Sequence, residues 1–275
     1  MATFTEKLEK LWEEKKFVCI NLDPDFSMLP PSAKKGVSKE EAIFNFNKAI
    51  IDATHDLVLA YKPQSAFYEA EGEEGYRALK RTVAYIKENH PDIPVILDAK
   101  RGDVEHTNEA YAKAIFDELG MDAVTVHPYM GALAMKPFLD RKDKGIIVLV
   151  KTSNPGSGEF QDLPVRGSPS YETVAKNVAD LWNKNGNCAV VVGATYPQEL
   201  AGVRAIVGDM PILIPGVGAQ GGDIAETVRA GKNSKDTGMI IAAGRSIIYA
   251  SSGEDFASAA RKETERLSAE IQKYL

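Results

Sequence analysis

The chain is poor in several residue types and patterns that would assign a class of protein at once. It has two cysteines in 275 residues, which excludes a disulfide-stapled scaffold, and four histidines without a zinc-binding spacing. Its 33 lysines and arginines are outnumbered by 39 aspartates and glutamates, so neither nucleic acid nor an anionic membrane is the expected partner. No apolar run approaches the ~20 residues of a membrane span. We therefore expect a soluble, cytoplasmic protein with reduced cysteines and no metal site.

Eight short apolar runs recur along the chain and predict eight β-strands. Each run is nearly continuous in apolar residues, which is typical of parallel strands covered on both faces. The runs begin on average about 32 residues apart, the length of a βα unit. Eight such units predict an α/β fold, a single (β/α)8 TIM-barrel domain over residues 1–275. The runs are residues 17–22, 57–62, 95–98, 123–126, 146–150, 188–192, 211–214 and 239–242.

Amphipathic helical patterns separate most of these runs. Ser38 and Glu41 form a capping-box signature, in which a serine side chain and a glutamate three residues later satisfy each other's backbone N–H groups. Ser252 and Asp255 resemble a second such box. Both signatures predict the first turn of a helix.

The segment before the first strand is charged and amphipathic. Leu8, Leu11 and Trp12 share one helical face, which predicts a helix packed across the bottom of the barrel. An open doubly wound sheet is the alternative fold. Its first βα turn would normally carry a glycine-rich dinucleotide fingerprint, and residues 21–24, Asn-Leu-Asp-Pro, do not.

Charged residues crowd the end of the third predicted strand, the end at which a barrel carries its chemistry. Side chains alternate along a strand, so Asp98 and Lys100 are expected on the same side. Gly102 permits a turn that brings Asp103 back toward them, and Lys62 ends the neighbouring strand. These residues predict an alternating cluster of two lysines and two aspartates at the barrel mouth. The alternative is a rim of surface ion pairs, which stabilise a protein little.

Six motifs follow one another at the ends of successive strands: YKPQSAFYE around Lys62, DAKRGD from Asp98 to Asp103, KTSNPGS, VGATYP, PGVGAQGGD and AGRSI. Together they resemble the orotidine 5′-monophosphate decarboxylases in their longer bacterial form, over nearly the whole chain. The resemblance implies cofactor-free decarboxylation of orotidine 5′-monophosphate to UMP in pyrimidine biosynthesis. The Asp-x-Lys-x-x-Asp pattern alone also occurs in related barrels, so a magnesium-dependent sugar-phosphate decarboxylase is the alternative. A barrel that only binds a nucleotide or sugar phosphate is a third reading, against which the intact cluster argues.

The resemblance also implies roles for individual residues. Lys100 protonates C6 of the pyrimidine as CO2 leaves, and Asp98 faces the departing carboxylate. Lys62 orders the aspartates and contacts the ribose. Asp103 and Thr107 reach into the active site of the neighbouring subunit, so a homodimer with shared active sites is expected.

Further residues are matched to the sugar and the base. Asp23 corresponds to the ribose-binding aspartate of the resembled family, although Asn21 stands where a glycine is more usual. Ser153 corresponds to the serine that contacts the pyrimidine. Residues 151–170 form a long polar connection after the fifth strand, and such a connection in a compact barrel is typical of a functional cover.

Two loops are expected to bind the phosphate. Residues 215–223 include four glycines directly after the seventh predicted strand, and another glycine and an arginine follow the eighth. Glycine exposes backbone N–H groups to an anion, and arginine adds a planar, doubly donating contact. The resemblance assigns the phosphate to Gln220, Gly244 and Arg245, with Gln220 also bridging to the cover.

Overall fold

Eight parallel strands form the predicted barrel. A computed structural model describes residues 2–217 and 222–275. Around the barrel the order is β2-β1-β8-β7-β6-β5-β4-β3, and parallel bridges from Tyr61 to Val95 and from Gln64 to Asp98 join the two end strands. The (β/α)8 prediction is confirmed, and the open doubly wound sheet is excluded. The strands are β1 (Val18–Leu22), β2 (Ala60–Pro63), β3 (Ile96–Arg101), β4 (Ala123–Val126), β5 (Gly145–Lys151), β6 (Cys188–Val192), β7 (Ile212–Pro215) and β8 (Met239–Ala243).

Helices connect the strands and cover the outside of the barrel. Two of them continue into π-helical turns at residues 113–118 and 178–182. A short antiparallel hairpin, Pro164–Val165 with Ser168–Pro169, lies between β5 and β6. Across the described ranges, no helix combines the length and apolar character that crossing a membrane requires. The helices are Phe4–Glu13, Phe26–Met28, Pro31–Lys34, Lys39–Thr54, Ser65–Glu69, Gly72–Asn89, Glu105–Ala112, Gly131–Leu139, Gly158–Gln161, Ser170–Asn177, Pro197–Val207, Ile224–Gly231, Arg245–Ile248 and Phe256–Gln272.

Most strand residues are buried on both faces of the sheet, as their sequences predict, whereas the carboxyl end of β3 is not. Every residue of β4, β6 and β8 is buried, which explains why these runs are continuously apolar instead of alternating. Outside the strands, Phe46 stacks on Tyr249 and Phe256 with ring centroids 5.9 and 5.1 Å apart. These contacts pack the helix Lys39–Thr54 against the segments that follow β8.

The two predicted capping boxes have different outcomes. Ser38 and Glu41 form the reciprocal pair of hydrogen bonds, so that prediction is confirmed. The box at Ser252 is wrong, because the helix begins only after Asp255 and Asp255 makes no side-chain capping bond. Its Oδ1 instead accepts a hydrogen bond of 2.6 Å from the Ser251 hydroxyl, so the carboxylate is used within the preceding turn.

The N-terminal helix lies across the bottom of the barrel, as predicted. Leu8, Leu11 and Trp12 are buried, and the Trp12 indole donates a hydrogen bond of 2.9 Å to the carbonyl of Met239, the first residue of β8. The helix thus closes the end of the barrel opposite the predicted site.

A buried carboxylate ties this helix to the barrel. Asp122, just before β4, accepts hydrogen bonds from Lys7 Nζ at 3.1 Å and from the backbone N–H of Val95 at 2.7 Å. It also pairs with Lys87. One aspartate therefore holds two lysines from two different helices.

Asp122→Asn is expected to lower the free energy of unfolding by about 3 to 5 kcal/mol, because it leaves the charges of two partly or fully buried lysines without their partner. Urea denaturation of the purified protein measures the change. Asp92→Asn is the matched control: it removes the partner of Lys10, one turn further along the same helix but exposed. Equal losses in the two variants would contradict the assignment of the stabilisation to the buried cluster.

Candidate active site

The carboxyl ends of the strands surround a cavity of about 470 Å³. Hydrogen-bonding register sets Asn21 of β1 beside Lys62 of β2, and Gln64 beside Asp98 of β3. Three neighbouring strands therefore deliver their polar ends to one place. The cavity is lined by Asn21, Asp23, Lys62, Asp98, Lys100, Thr125, Leu149, Thr152, Ser153, Asn154, Gln161, Val191, Leu213 and Pro215.

Asp98 is at the centre of the charged cluster. Its Oδ2 lies 2.7 Å from Lys62 Nζ, and its Oδ1 lies 2.8 Å from Lys100 Nζ. The Lys62 side chain is 3% exposed and that of Lys100 is 46% exposed. Although burial alone would raise the pKa of Asp98, the two ammonium groups hold that pKa well below its ordinary value. The carboxylate is thus ionised, with one buried lysine and one that faces the cavity.

The backbone at Lys100 departs from regular strand geometry. Its φ is +46°, in the left-handed region that is costly for a residue with a side chain. The pairing of β3 with β4 shifts between Leu97 and Arg101, so simple alternation does not describe this stretch. The Lys100 side chain nevertheless reaches the same carboxylate as predicted.

Thr125 of β4 holds this irregular stretch in place. Its Oγ1 accepts hydrogen bonds from the backbone N–H groups of Ala99 and Lys100, at 3.0 and 2.9 Å, and donates to Asp98 Oδ1 at 2.9 Å. One buried hydroxyl therefore fixes both the backbone and the carboxylate of the cluster. Sequence reasoning missed this residue, although Thr125 is the one polar residue in the predicted strand 123–126.

Lys62 and Asp23 extend the polar floor toward β1. Burial lowers the pKa of Lys62, but the negative charges of Asp98 and Asp23 outweigh burial, so the pKa is raised and the ammonium is kept. Burial is also the main cause of the raised pKa of Asp23. Asp23 Oδ1 accepts a hydrogen bond of 3.1 Å from the backbone N–H of Gln64, and its carbonyl accepts one of 3.2 Å from the Tyr249 hydroxyl.

Asp103 and Thr107 are not part of the cavity wall. Asn108 holds Asp103 by its backbone, accepting from the N–H at 3.1 Å and donating to the carbonyl at 2.7 Å. Within the described part of this chain, Asp103 makes no ion pair with Lys62 or Lys100. The four-membered cluster expected from the charge pattern therefore has three of its members together in one chain.

The two predicted phosphate loops lie at the ends of β7 and β8. Gly244 follows β8, where a Cβ would lie 3.0 Å from the Asn21 side chain, so glycine allows Asn21 to fit there. Arg245 is exposed and begins the next helix. Gln220 lies outside the described residues, between Val217 and Gly222, which form a parallel bridge.

The connection after β5 supplies the opposite wall of the cavity. Ser153, which is expected to contact the pyrimidine, lines the cavity and packs against Gly193, where a Cβ would lie only 2.8 Å from the serine Cβ. Gln161, which sequence reasoning did not select, accepts from the Thr152 N–H at 2.9 Å and donates to the Thr152 hydroxyl at 2.8 Å. Only the fold reveals this contact, because nine residues separate its partners.

The acidic side chains of the cavity do not form a metal site within the described residues. In the part of the chain that the structure describes, no group of three or more His, Cys, Asp or Glu side chains is placed to hold a metal ion. Both carboxylates of the cavity, Asp23 and Asp98, lie in the field of Lys62, and Lys100 also faces Asp98. The oxygens of Asp98 are occupied by ammonium groups and a hydroxyl.

The fold and the charged cluster together define the class of protein: a (β/α)8-barrel enzyme with a lysine–aspartate–lysine cluster at the carboxyl ends of its strands. Residues 18–262 match the model of the orotidine 5′-phosphate decarboxylase / HUMPS family. The chain belongs to this family. A protein of Cellvibrio japonicus named orotidine 5′-phosphate decarboxylase is 51% identical over 260 residues, which is 94% of each chain.

Solved structures agree with this assignment. The OMP decarboxylase of Leishmania donovani is 35% identical, with a TM-score of 0.84 over 98% of this chain and 99% of that one. The UMP synthase of the same organism is 37% identical with a TM-score of 0.85, but this chain covers only 56% of it. At this identity and coverage the family makes the protein a carboxy-lyase of pyrimidine biosynthesis, as the motifs predict.

Thr125→Val is expected to lower kcat for decarboxylation by about 10- to 100-fold, with a smaller change in KM. Valine has the same shape but accepts no hydrogen bond, so the strained backbone at Lys100 loses its support. Steady-state kinetics with orotidine 5′-monophosphate measure the effect, and Thr125→Ser, which keeps the hydroxyl, is the control. If the valine and serine variants were equally active, the hydroxyl would have no positioning role.

Proposed function

We propose that the cluster of Lys62, Asp98 and Lys100 decarboxylates orotidine 5′-monophosphate to UMP without a cofactor. The bond between C6 and the carboxylate carbon breaks, CO2 leaves, and the electron pair stays on C6. Lys100 then donates a proton to C6 and later regains one from solvent. The observation that carries this proposal is the Lys100 ammonium, held 2.8 Å from Asp98 with its side chain open to the cavity.

Asp98 contributes electrostatically in two ways. It orients the Lys100 ammonium through the 2.8 Å contact, and it faces the substrate carboxylate with a charge of the same sign. Repulsion between two charges at ~4 Å, with an effective dielectric constant of ~20, is about 4 kcal/mol. Since enzymes lower barriers by ~8 to 23 kcal/mol, we assign the larger share to stabilisation of the carbanion by the ammonium and to phosphate binding energy.

The remaining cavity residues are assigned to parts of the substrate. Asp23 and Lys62 bind the ribose hydroxyls, for which the buried carboxylate and ammonium on the cavity floor are the support. Ser153 contacts the pyrimidine, because a hydroxyl both donates to and accepts from an imide edge. The phosphate is bound by Gln220, Gly244 and Arg245.

We also propose that the active enzyme is a homodimer in which Asp103 and Thr107 complete the partner's site. Both residues lie outside the cavity of their own chain. Val104, next to Asp103, is exposed, and so is Leu133 on the helix Gly131–Leu139, which packs against the helix that carries Thr107. Tyr129 and Met130, directly before Gly131, are exposed as well. Exposed apolar side chains of this kind are typical of an interface. Cys19 and Cys188, both buried and unpaired, support a cytoplasmic location.

The magnesium-dependent sugar-phosphate reading has no support among the relatives named above. Loss of the substrate's absorbance, followed with and without excess EDTA, separates the two chemistries. Turnover that EDTA does not affect supports the cofactor-free reaction, because an enediolate intermediate usually requires a Lewis acid. Activity that EDTA removes and magnesium restores would overturn it.

Lys100→Ala is expected to lower turnover by at least about 100-fold while UMP still binds, because the variant loses the proton donor but keeps the phosphate contacts. Turnover is followed by absorbance and UMP binding by calorimetry. Lys142→Ala, at an exposed lysine away from the cavity, is the control. Near-normal turnover in Lys100→Ala would mean that another group protonates C6.

Mixing two inactive variants tests the shared site. Lys100→Ala and Asp103→Ala are each expected to be inactive alone. In an equal mixture that exchanges subunits, half of the dimers are mixed and each has one intact site, so about a quarter of wild-type activity returns. No recovery, with exchange verified by mass spectrometry of the native dimers, would show that Asp103 acts within its own chain.

A further inference from the structure

Lys151, the last residue of β5, is a buried lysine that the proposed mechanism does not use. Its side chain is only 2% exposed. The ammonium lies 2.5 Å from Asp162 Oδ1, with the rings of Tyr196 and Tyr171 at 5.0 and 5.5 Å. Removing an ammonium from water is unfavourable unless it is paired, so this residue depends on the Asp162 carboxylate.

Asp162 belongs to a surface segment, residues 153–170, which we call the cover segment; it begins after Thr152, the residue that follows β5. The Asp162 side chain is 52% exposed, whereas that of Lys151 is buried. The pair therefore joins a rigid barrel strand to a segment at the surface. A Cβ on Gly158 would lie 2.6 Å from Asp162 Oδ2, so glycine at that position lets the carboxylate turn inward.

Thr152, which follows Lys151, and Gln161, which precedes Asp162, make a second link. Lys151 binds Asp162, and Thr152 binds Gln161 through the two hydrogen bonds described above. Gln161, Thr152 and Ser153 all line the cavity. Two adjacent residues at the end of β5 thus hold two adjacent residues of the cover segment, directly at the cavity wall.

Apolar burial contributes little to holding this part of the cover segment. Phe160 is 68% exposed, and Leu163 and Val165 are exposed as well. Within residues 2–217 and 222–275, the hairpin at Pro164–Val165 and Ser168–Pro169 pairs with no other strand. Polar contacts to the end of β5 are therefore the main attachment at Asp162.

We infer that the Lys151–Asp162 ion pair is a latch that keeps the cover segment seated on the cavity. Lys151 is then a positioning residue for the decarboxylation, acting through Gln161 and Ser153 without touching the substrate. This inference rests on the proposed function. When the pair is broken, a smaller fraction of the free enzyme has the binding-competent arrangement. Apparent substrate affinity falls in proportion to that fraction. Saturating substrate reseats the segment, so kcat changes less than KM.

Asp162→Asn and Lys151→Met test the latch. We expect KM for orotidine 5′-monophosphate to rise about 10-fold or more in each, with kcat within about 3-fold of wild type. The double variant is expected to be no worse than the more impaired single one, because both remove the same contact. Lys176→Met, which breaks an exposed pair with Glu172 on the following helix, is the matched control.

Limited trypsin digestion gives a readout that does not need activity. The bond after Arg166 lies in the exposed turn of the hairpin, and its cleavage is expected to be at least several-fold faster in Asp162→Asn than in wild type or Lys176→Met. UMP is expected to slow it.

Asp162 is half exposed, so Asp162→Asn remains informative if Lys151→Met fails to fold. Wild-type KM and wild-type cleavage in Asp162→Asn would overturn the latch. Absence of turnover in the wild-type protein would instead overturn the proposed function, while the cleavage rates still test the latch.

Discussion

A carboxylate held between two ammonium groups is the interaction on which the rim of this barrel depends. Asp98 cannot be buried as an anion alone, and Lys62 cannot be buried as a cation alone. Each needs the other at hydrogen-bonding distance, which the parallel register of β2 and β3 provides. Lys100 then shares the same carboxylate from the cavity side, so the position of its ammonium follows from a pair that is already fixed.

The cavity has two kinds of wall: the barrel strands, and a surface connection that polar contacts hold to the barrel. The strands supply the charged cluster; the Thr125 hydroxyl accepts a hydrogen bond from the Lys100 N–H, and the Tyr249 hydroxyl donates one to the carbonyl of neighbouring Asp23. The opposite wall of the cavity comes from a connection with little buried surface, held by polar contacts to the end of β5. This division suits an enzyme that must keep its reacting groups still and yet admit and release a nucleotide.

Much of the fold follows from local pattern, whereas parts of the site do not. The eight strands were predictable because burial on both faces leaves a continuous apolar run, and Ser38 with Glu41 was predictable because a capping box is local. Thr125 was missed because its role arises from the shifted pairing with β3, which no single segment encodes. The box at Ser252 failed for a local reason: the neighbouring Ser251 hydroxyl binds the same Asp255 carboxylate. Motif resemblance placed Lys62 and Lys100 at the cavity, whereas Asp103 lies away from the cavity of its own chain.

The helix that closes the bottom of the barrel lies outside the region that defines the family. The family model begins at residue 18, whereas this helix spans Phe4–Glu13 and buries Leu8 and Trp12 against the barrel. A fragment cut at the family boundary would keep every residue of the active site. It would also uncover the lower end of the apolar core, leaving Lys87 and Asp122 without Lys7. The functional unit of this chain is therefore larger than its catalytic signature.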